Sequence, residues 1–135
     1  MKLWMKLVLT GSMAVATAVV QAGTPEKTPS GLIYESIREG SGEKASPDAT
    51  VQVNYRGTLA NGNEFDSSYK RGQPATFPLN RVIRCWTEGV SKMREGGKAK
   101  LTCPPGIAYG SKGAGSAVPP DATMTFEVEL LKVMR

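Results

Sequence analysis

Residues 50–59 read TVQVNYRGTL, and they alternate cleanly. Val51, Val53 and Tyr55 fall on one face, and Gln52, Asn54 and Arg56 on the other, the pattern of a half-buried strand. Ala60-Asn61-Gly62-Asn63 then supplies a hairpin-type turn, because Asn-Gly tolerates positive φ. Short strands are expected at 64–67 and 75–79, around a loop holding Lys70, Arg71 and Gly72. Residues 84–93 carry Trp86, Val90 and Met93 at i, i+4 and i+7, which predicts one short helix that Gly96-Gly97 stops. Lys98–Cys103 alternates again, with Ala99, Leu101 and Cys103 inward, until Pro104-Pro105 ends it. A long Gly/Pro loop over 104–121 precedes a last strand over 123–134, whose Met124, Phe126, Val128 and Leu130 share a face. Toward the N-terminus, 31–38 forms a loosely alternating edge strand. The expected fold is α+β: a twisted antiparallel sheet of four to six strands wrapped around one short helix.

The chain has 135 residues, enough for one domain. Lys2 and Lys6 form a basic start, and Leu7 to Val20 an uncharged, mostly apolar run. Val20-Gln21-Ala22 fits the small-residue pattern before a signal peptidase cut. The expected division is therefore a signal peptide (1–22), a Pro/Thr/Lys linker with nothing to bury (23–30) and a domain (31–135). The competing reading, an uncleaved anchor, has against it a run too short to span a bilayer comfortably. Export to a periplasm, or secretion, is expected, with no membrane attachment after cleavage.

The formal net charge is +5, and the two N-terminal lysines contribute to it. The remaining charges are scattered and not interleaved with aromatics, which makes nucleic acid a poor partner. Histidine is absent, which excludes Ser-His and Cys-His nucleophilic systems and a histidine base. Two cysteines cannot build a four-cysteine metal site, and the acids lack calcium-loop spacing. Gly110 to Gly115, GSKGAG, runs into Val118-Pro119-Pro120 rather than a helix, so it is no phosphate loop. The expected chemistry uses neither metal nor cofactor.

Tyr55, Phe65, Phe77, Trp86, Tyr109 and Phe126 come from different strands, the helix and the long loop. Asp66 follows Phe65 and could accept from a tyrosine or pair with Arg71. Such company suits a lined ligand site, but spacing alone does not separate a pocket from a core.

The ordered series VNYRGTL (53–59), FDSS (65–68), VIRCWTEGV (82–90), GGKAKLTCPPGIAYG (96–110) and VPPDATMTFEVELL (118–131) closely resembles the FKBP-type peptidyl-prolyl cis-trans isomerases over about 31–135. The resemblance implies that Trp86 floors a hydrophobic cup. It implies that Tyr55, the pair Phe65-Asp66, Val82-Ile83, Ala108-Tyr109-Gly110, Phe126 and the loop residues Ala117 and Val118 surround that floor. Arg71 and Phe77 complete the substrate-binding set. Ala75 stands where a second wall aromatic is common, Ala114 where His is frequent, and Ala117 and Val118 where bulky Ile residues precede the Pro-Pro pair. Cys85 replaces the usual Gly before the tryptophan, as in some bacterial members.

The implied activity is isomerisation of X-Pro bonds in folding polypeptides, with macrolides such as rapamycin as candidate ligands. The barrier is about 18–20 kcal/mol. A water-poor aromatic cup disfavours the planar amide relative to the twisted one, which is differential binding rather than acid-base work. The expected catalytic groups are the Ile83 N–H, the Tyr109 hydroxyl and Asp66. Asp66 either meets the carbonyl carbon or orients Tyr55 and Arg71. Removing roughly 4–6 kcal/mol would accelerate the reaction on the order of 10³–10⁴-fold. The alternative is a noncatalytic chaperone or binding module for Pro-containing chains. A monomer is expected, with eight residues between the cut and the first strand. Cys85 and Cys103 would lie close in an FKBP-like arrangement, and an oxidising compartment favours their disulfide. Two buried free thiols are the competing state.

Overall fold

The computed structural model describes residues 23–134. The expected signal segment, 1–22, lies outside the described residues. Seven strands form one antiparallel sheet: β1 (Glu26–Lys27), β2 (Ile33–Arg38), β3 (Thr50–Leu59), β4 (Glu64–Ser67), β5 (Ala75–Pro78), β6 (Lys98–Cys103) and β7 (Met124–Met134). Their order is β1-β2-β6-β7-β3-β4, with β5 also pairing β3. Among the described residues two α-helices interrupt the strands, α1 (Ser68–Arg71) and α2 (Arg84–Val90).

β3 is the organising strand. Val51, Val53 and Tyr55 point into the core, so burial follows the period of two. On one side it pairs with β7 from Thr50 to Leu59. On the other it is shared, with Thr50–Val53 against β5 and Arg56–Thr58 against β4. β7 buries Met124, Phe126, Val128 and Leu130 as the alternation requires. Its register then shifts, since Val53 faces Leu130 while Gln52 faces Lys132. The extra residue, Leu131, moves the inward phase to Val133, which is buried although alternation from Leu130 would leave it outside.

α2 packs against β6, and Gly89 makes that approach possible. A Cβ at Gly89 would sit 2.8 Å from both Leu101 methyl carbons, so any larger residue would force the Leu101 side chain or the helix itself to shift. The helix is shorter than its apolar periodicity suggests, ending at Val90 rather than Met93. Gly89 is a weak helix former, and the Ser91 hydroxyl donates to the Glu88 carbonyl at 2.8 Å, offering the backbone a local alternative. Met93 is still buried, carried in by a turn in which its N–H donates to the Val90 carbonyl.

The stretch 23–30 is not the unattached linker that its composition suggests. Glu26 and Lys27 pair with Tyr34 and Ile33, the Gly23 N–H donates to the Ser36 carbonyl, and Thr28 is buried. The backbone of β2 has a free row of donors and acceptors, and this segment satisfies part of it. β2 is thereby not the sheet edge that its sequence suggests.

Candidate functional site

Trp86 comes from the first turn of α2 and is 4% exposed. Three rings meet it edge-on: Tyr55 at 5.2 Å, Phe126 at 5.4 Å and Phe77 at 5.5 Å between centroids. Tyr55 and Phe77 also touch each other at 6.0 Å. Such edge-to-face pairs favour the packing by about 0.5–1.5 kcal/mol each beyond area burial. The partners come from β3, β5 and β7, so the sheet fixes the indole from three directions.

Above the indole lies a cavity of about 500 Å³, lined by Tyr55, Phe77, Arg81, Val82, Ile83, Trp86, Tyr109 and Phe126. That size suits a small ligand or a dipeptide unit. One wall is Val82-Ile83. A 3-10 turn, Leu79–Arg81, delivers it, anchored by the buried Leu79, whose N–H donates to the Ala49 carbonyl at 2.9 Å. The Thr87 hydroxyl donates to the Leu79 carbonyl and ties this turn to α2. The Ile83 carbonyl accepts from the N–H groups of Trp86 and Thr87, whereas the Ile83 N–H has no acceptor among the described residues. It is a backbone donor beside the cavity.

The loop after β6 supplies Tyr109 to the lining. The N–H groups of Ala108 and Gly110 both donate to the Pro105 carbonyl, and Asp121 N–H donates to the Gly110 carbonyl. Arg84 reaches across from α2 to the Gly106 carbonyl at 2.6 Å. Tyr109 is thus held at the mouth, 41% exposed, and its hydroxyl makes no hydrogen bond among the described residues. Cys85 and Cys103 are joined by a disulfide with a Cα–Cα distance of 5.8 Å, both residues fully buried. It links the residue before Trp86 to the end of β6.

A polar cluster stands behind the cup. The Tyr55 hydroxyl donates to Asp66 Oδ2 at 2.5 Å, Arg71 donates to Asp66 Oδ1 at 2.7 Å, and Arg71 also donates to the Tyr55 oxygen at 2.9 Å. The Ser67 N–H adds a bond to Asp66 Oδ1. Burial alone would raise the Asp66 carboxyl, but the bonds from Tyr55 and Arg71 and the guanidinium charge outweigh it and hold the group below its ordinary value. Burial, then the bond to Asp66, pushes the Tyr55 hydroxyl up. Hydrogen bonding to Asp66, followed by that to Tyr55, raises Arg71 further. α1 creates this geometry: the Ser67 side chain accepts from Lys70 N–H and Gly72 closes the turn in the left-handed region. The pattern Ser-Ser-x-x-x-Gly, with a cap at each end, is the signal in the sequence for that turn.

Of the expected site residues, Tyr55, Phe77, Val82, Ile83, Trp86, Tyr109 and Phe126 come together around one cavity. Asp66 and Arg71 do not line it. They reach it through Tyr55 and line a smaller depression of about 210 Å³ with Phe65. Phe65 supports the cup from outside, edge-on to Phe126 at 5.6 Å. Gly57 makes room for both rings, since a Cβ there would lie 2.7 Å from Phe65 and 2.9 Å from Phe126. Val118 is buried against the loop and bridged to Ala114, away from the cavity lining. Arg81 lines the cavity without having been expected, because a single cation in a loop has no periodicity to betray it.

Comparison with known proteins follows the same lines. The family described as FKBP-type peptidyl-prolyl cis-trans isomerase matches residues 41–131. The chain is 50% identical over 103 residues to the FKBP-type peptidyl-prolyl cis-trans isomerase FkpA of Escherichia coli K12, covering 76% of this chain but 38% of that protein. It is 51% identical over 105 residues to the FK506-binding protein of Neisseria meningitidis serogroup B, covering 76% of this chain and 96% of that one. The crystal structure of E. coli FkpA superposes with a TM-score of 0.79 at 46% identity, over 82% of this chain and 51% of the other. That of AtFKBP13 superposes at 0.75 with 35% identity, over 82% and 98%. The match therefore spans 38% of the full E. coli FkpA sequence, about half of its crystal structure and nearly all of the Neisseria protein.

Proposed function

The chain belongs to the FKBP-type peptidyl-prolyl cis-trans isomerase family, and we propose that it accelerates X-Pro isomerisation during the folding of exported polypeptides. The observation that carries the reading is the Trp86 cup, with an unpaired Ile83 N–H on its wall and the Tyr109 hydroxyl at its mouth. The proline ring sits over the indole. The Ile83 N–H holds a substrate carbonyl, and the cup excludes water from the amide. A twisted amide has a less polar carbonyl than a planar one, so a dry apolar wall favours it. Asp66 acts as a positioning residue, fixing the Tyr55 ring through its hydroxyl rather than touching the substrate. The basic start and apolar run of residues 1–22 support export, after which the protein acts as a monomer on Pro-containing chains and takes macrolides in the same cup.

The test is isomerisation of a Leu-Pro peptide by the purified protein, with and without rapamycin. Acceleration that rapamycin suppresses is expected. Catalysed and uncatalysed rates that coincide at micromolar protein would end the enzyme reading. The open mouth at Tyr109 also suits a noncatalytic grip on Pro-containing chains. That reading gains if the protein suppresses aggregation of an unfolded client while leaving a slow proline phase unchanged.

A further inference from the structure

Among the residues that line the cup, one carries a charge. Arg81 ends the 3-10 turn immediately before Val82-Ile83 and lines the cavity together with seven uncharged residues. It is exposed, and among the described residues it makes no hydrogen bond, ion pair or ring contact. The other arginines nearby are committed: Arg71 to Asp66 and Tyr55, Arg84 to the Gly106 carbonyl. Among the described residues no carboxylate lines the cavity, and Asp66, in the adjoining depression, is already satisfied by Tyr55 and Arg71. Arg81 is therefore a free cation at the mouth of a site that binds polypeptide.

Its backbone is not free. Leu79 is fully buried, its N–H bonded to Ala49 and its carbonyl taken by Thr87, so the turn holds the Arg81 stem beside the cavity. A guanidinium anchored at the stem and unpaired at the tip presents donors in a fork that matches a carboxylate. The apolar walls of the cup lower the local dielectric on one side, and water screens the other.

We propose that Arg81 is a specificity-determining residue, selecting substrates in which an apolar residue–proline pair is flanked on one side by Asp or Glu. The inference rests on the isomerase reading above and names the substrate class of that site. Because the contact persists in ground and transition states alike, its effect falls on binding and KM rather than on kcat. Exposed ion pairs of this kind change an equilibrium about two- to fivefold, and salt weakens them.

Four end-blocked peptides test it: Ala-Leu-Pro-Ala, Glu-Leu-Pro-Ala, Ala-Leu-Pro-Glu and Lys-Leu-Pro-Ala. Each is read twice, as kcat/KM for isomerisation and as Kd by anisotropy of a dye-labelled copy. At least one Glu peptide should exceed the Ala peptide about two- to fivefold in low salt and lose the advantage at high salt. The Glu-to-Ala ratio within each protein is the measured quantity, so a general change in activity cancels. Arg81→Lys should keep most of that ratio, Arg81→Gln should bring it to one, and Arg81→Glu should turn the preference toward the Lys peptide. Equal Kd values for all four peptides on the parent protein would overturn the inference. So would a ratio that survives in Arg81→Gln. If no peptide is isomerised, the isomerase reading fails, and the Kd ratios still decide the role of Arg81.

Discussion

The aromatic cup and the polar cluster behind it share one residue, Tyr55, and are held by opposite kinds of force. Around Trp86 the interactions are ring edges and buried area, with three aromatic partners within 5.5 Å and no charge among them. Around Asp66 they are directional and charged, with Tyr55, Arg71 and Ser67 all donating to one carboxylate. The ring of Tyr55 belongs to the first region and its hydroxyl to the second. Packing sets where the cup is, and hydrogen bonding sets which way one of its walls faces. The two regions should therefore fail differently when perturbed.

The largest effect belongs to the cup floor. Trp86→Ala should cost about 3–5 kcal/mol of stability, as large-to-small changes of buried aromatics do. It should abolish isomerisation even at temperatures where the variant remains folded. Urea unfolding beside an activity assay checks this. A variant that loses stability but turns over a Leu-Pro peptide normally would show that the indole is core and not floor.

Next comes the covalent tie beneath that floor. Cys85 and Cys103 close a loop of 18 residues, for which the chain-entropy model gives about 3 kcal/mol. Paired Cys85→Ser and Cys103→Ser changes, or reduction of the parent, should lower the unfolding midpoint accordingly. Non-reduced mass spectrometry of the purified protein should find no alkylatable thiol after denaturation. Two free thiols would refute the bridge. Activity should fall less than stability, because the ring contacts of Trp86 remain.

The polar cluster predicts a smaller and pH-dependent effect. Asp66→Asn removes the charge from the acceptor of the Tyr55 hydroxyl, a loss of about 1 kcal/mol. Turnover should fall more than stability, since the Tyr55 wall loosens while the core stays packed. The folded Asp66 carboxyl lies below its ordinary value, so its contribution is full above the unfolded value of about 4. It drains away as pH falls through the lower folded value. Tyr55 is shifted upward, so its contribution is present below about pH 10 and is lost as pH rises through the folded value. Between those limits the cluster is constant. Unfolding midpoints from pH 3 to 8 should show the acid loss in the parent and a reduced one in Asp66→Asn.

The same contrast explains what the sequence made legible. β3, β6 and β7 are half-buried antiparallel strands, and such strands declare themselves by alternation, down to Thr50–Leu59 and Lys98–Cys103. The apolar face of α2 was equally plain, but its end was not, because Ser91 closes it through a side-chain bond with no period. The pairing of 23–30 with β2 was hidden for a related reason: it is made by backbone groups, which Pro/Thr/Lys composition does not report. In the site, residue type announced an aromatic cluster, yet orientation did not follow from type. Phe65 turns behind Phe126 and Val118 turns into the loop, while Arg81 turns toward the cavity. Those choices are made by Gly57, by the bridge from Val118 to Ala114 and by the 3-10 turn at Leu79, none of which is a periodic signal.

The smallest expected effect on the fold is at Tyr109, and it separates site from scaffold most sharply. Its hydroxyl is the one side-chain group of the proposed catalytic set that nothing among the described residues engages, and the side chain is 41% exposed. The side chain is exposed to solvent, so Tyr109→Phe should leave stability within about 0.5 kcal/mol of the parent. If the hydroxyl donates to substrate only as the amide twists, its removal takes one hydrogen bond from the transition state and none from the ground state. That is worth about 0.5–1.5 kcal/mol, or a loss of roughly two- to tenfold in kcat with KM little changed. A rise in KM at constant kcat would instead make Tyr109 a grip on the bound chain. Unchanged kinetics would leave Ile83 N–H as the sole polar contact at the reacting amide, and the cup would then work by shape and dryness alone.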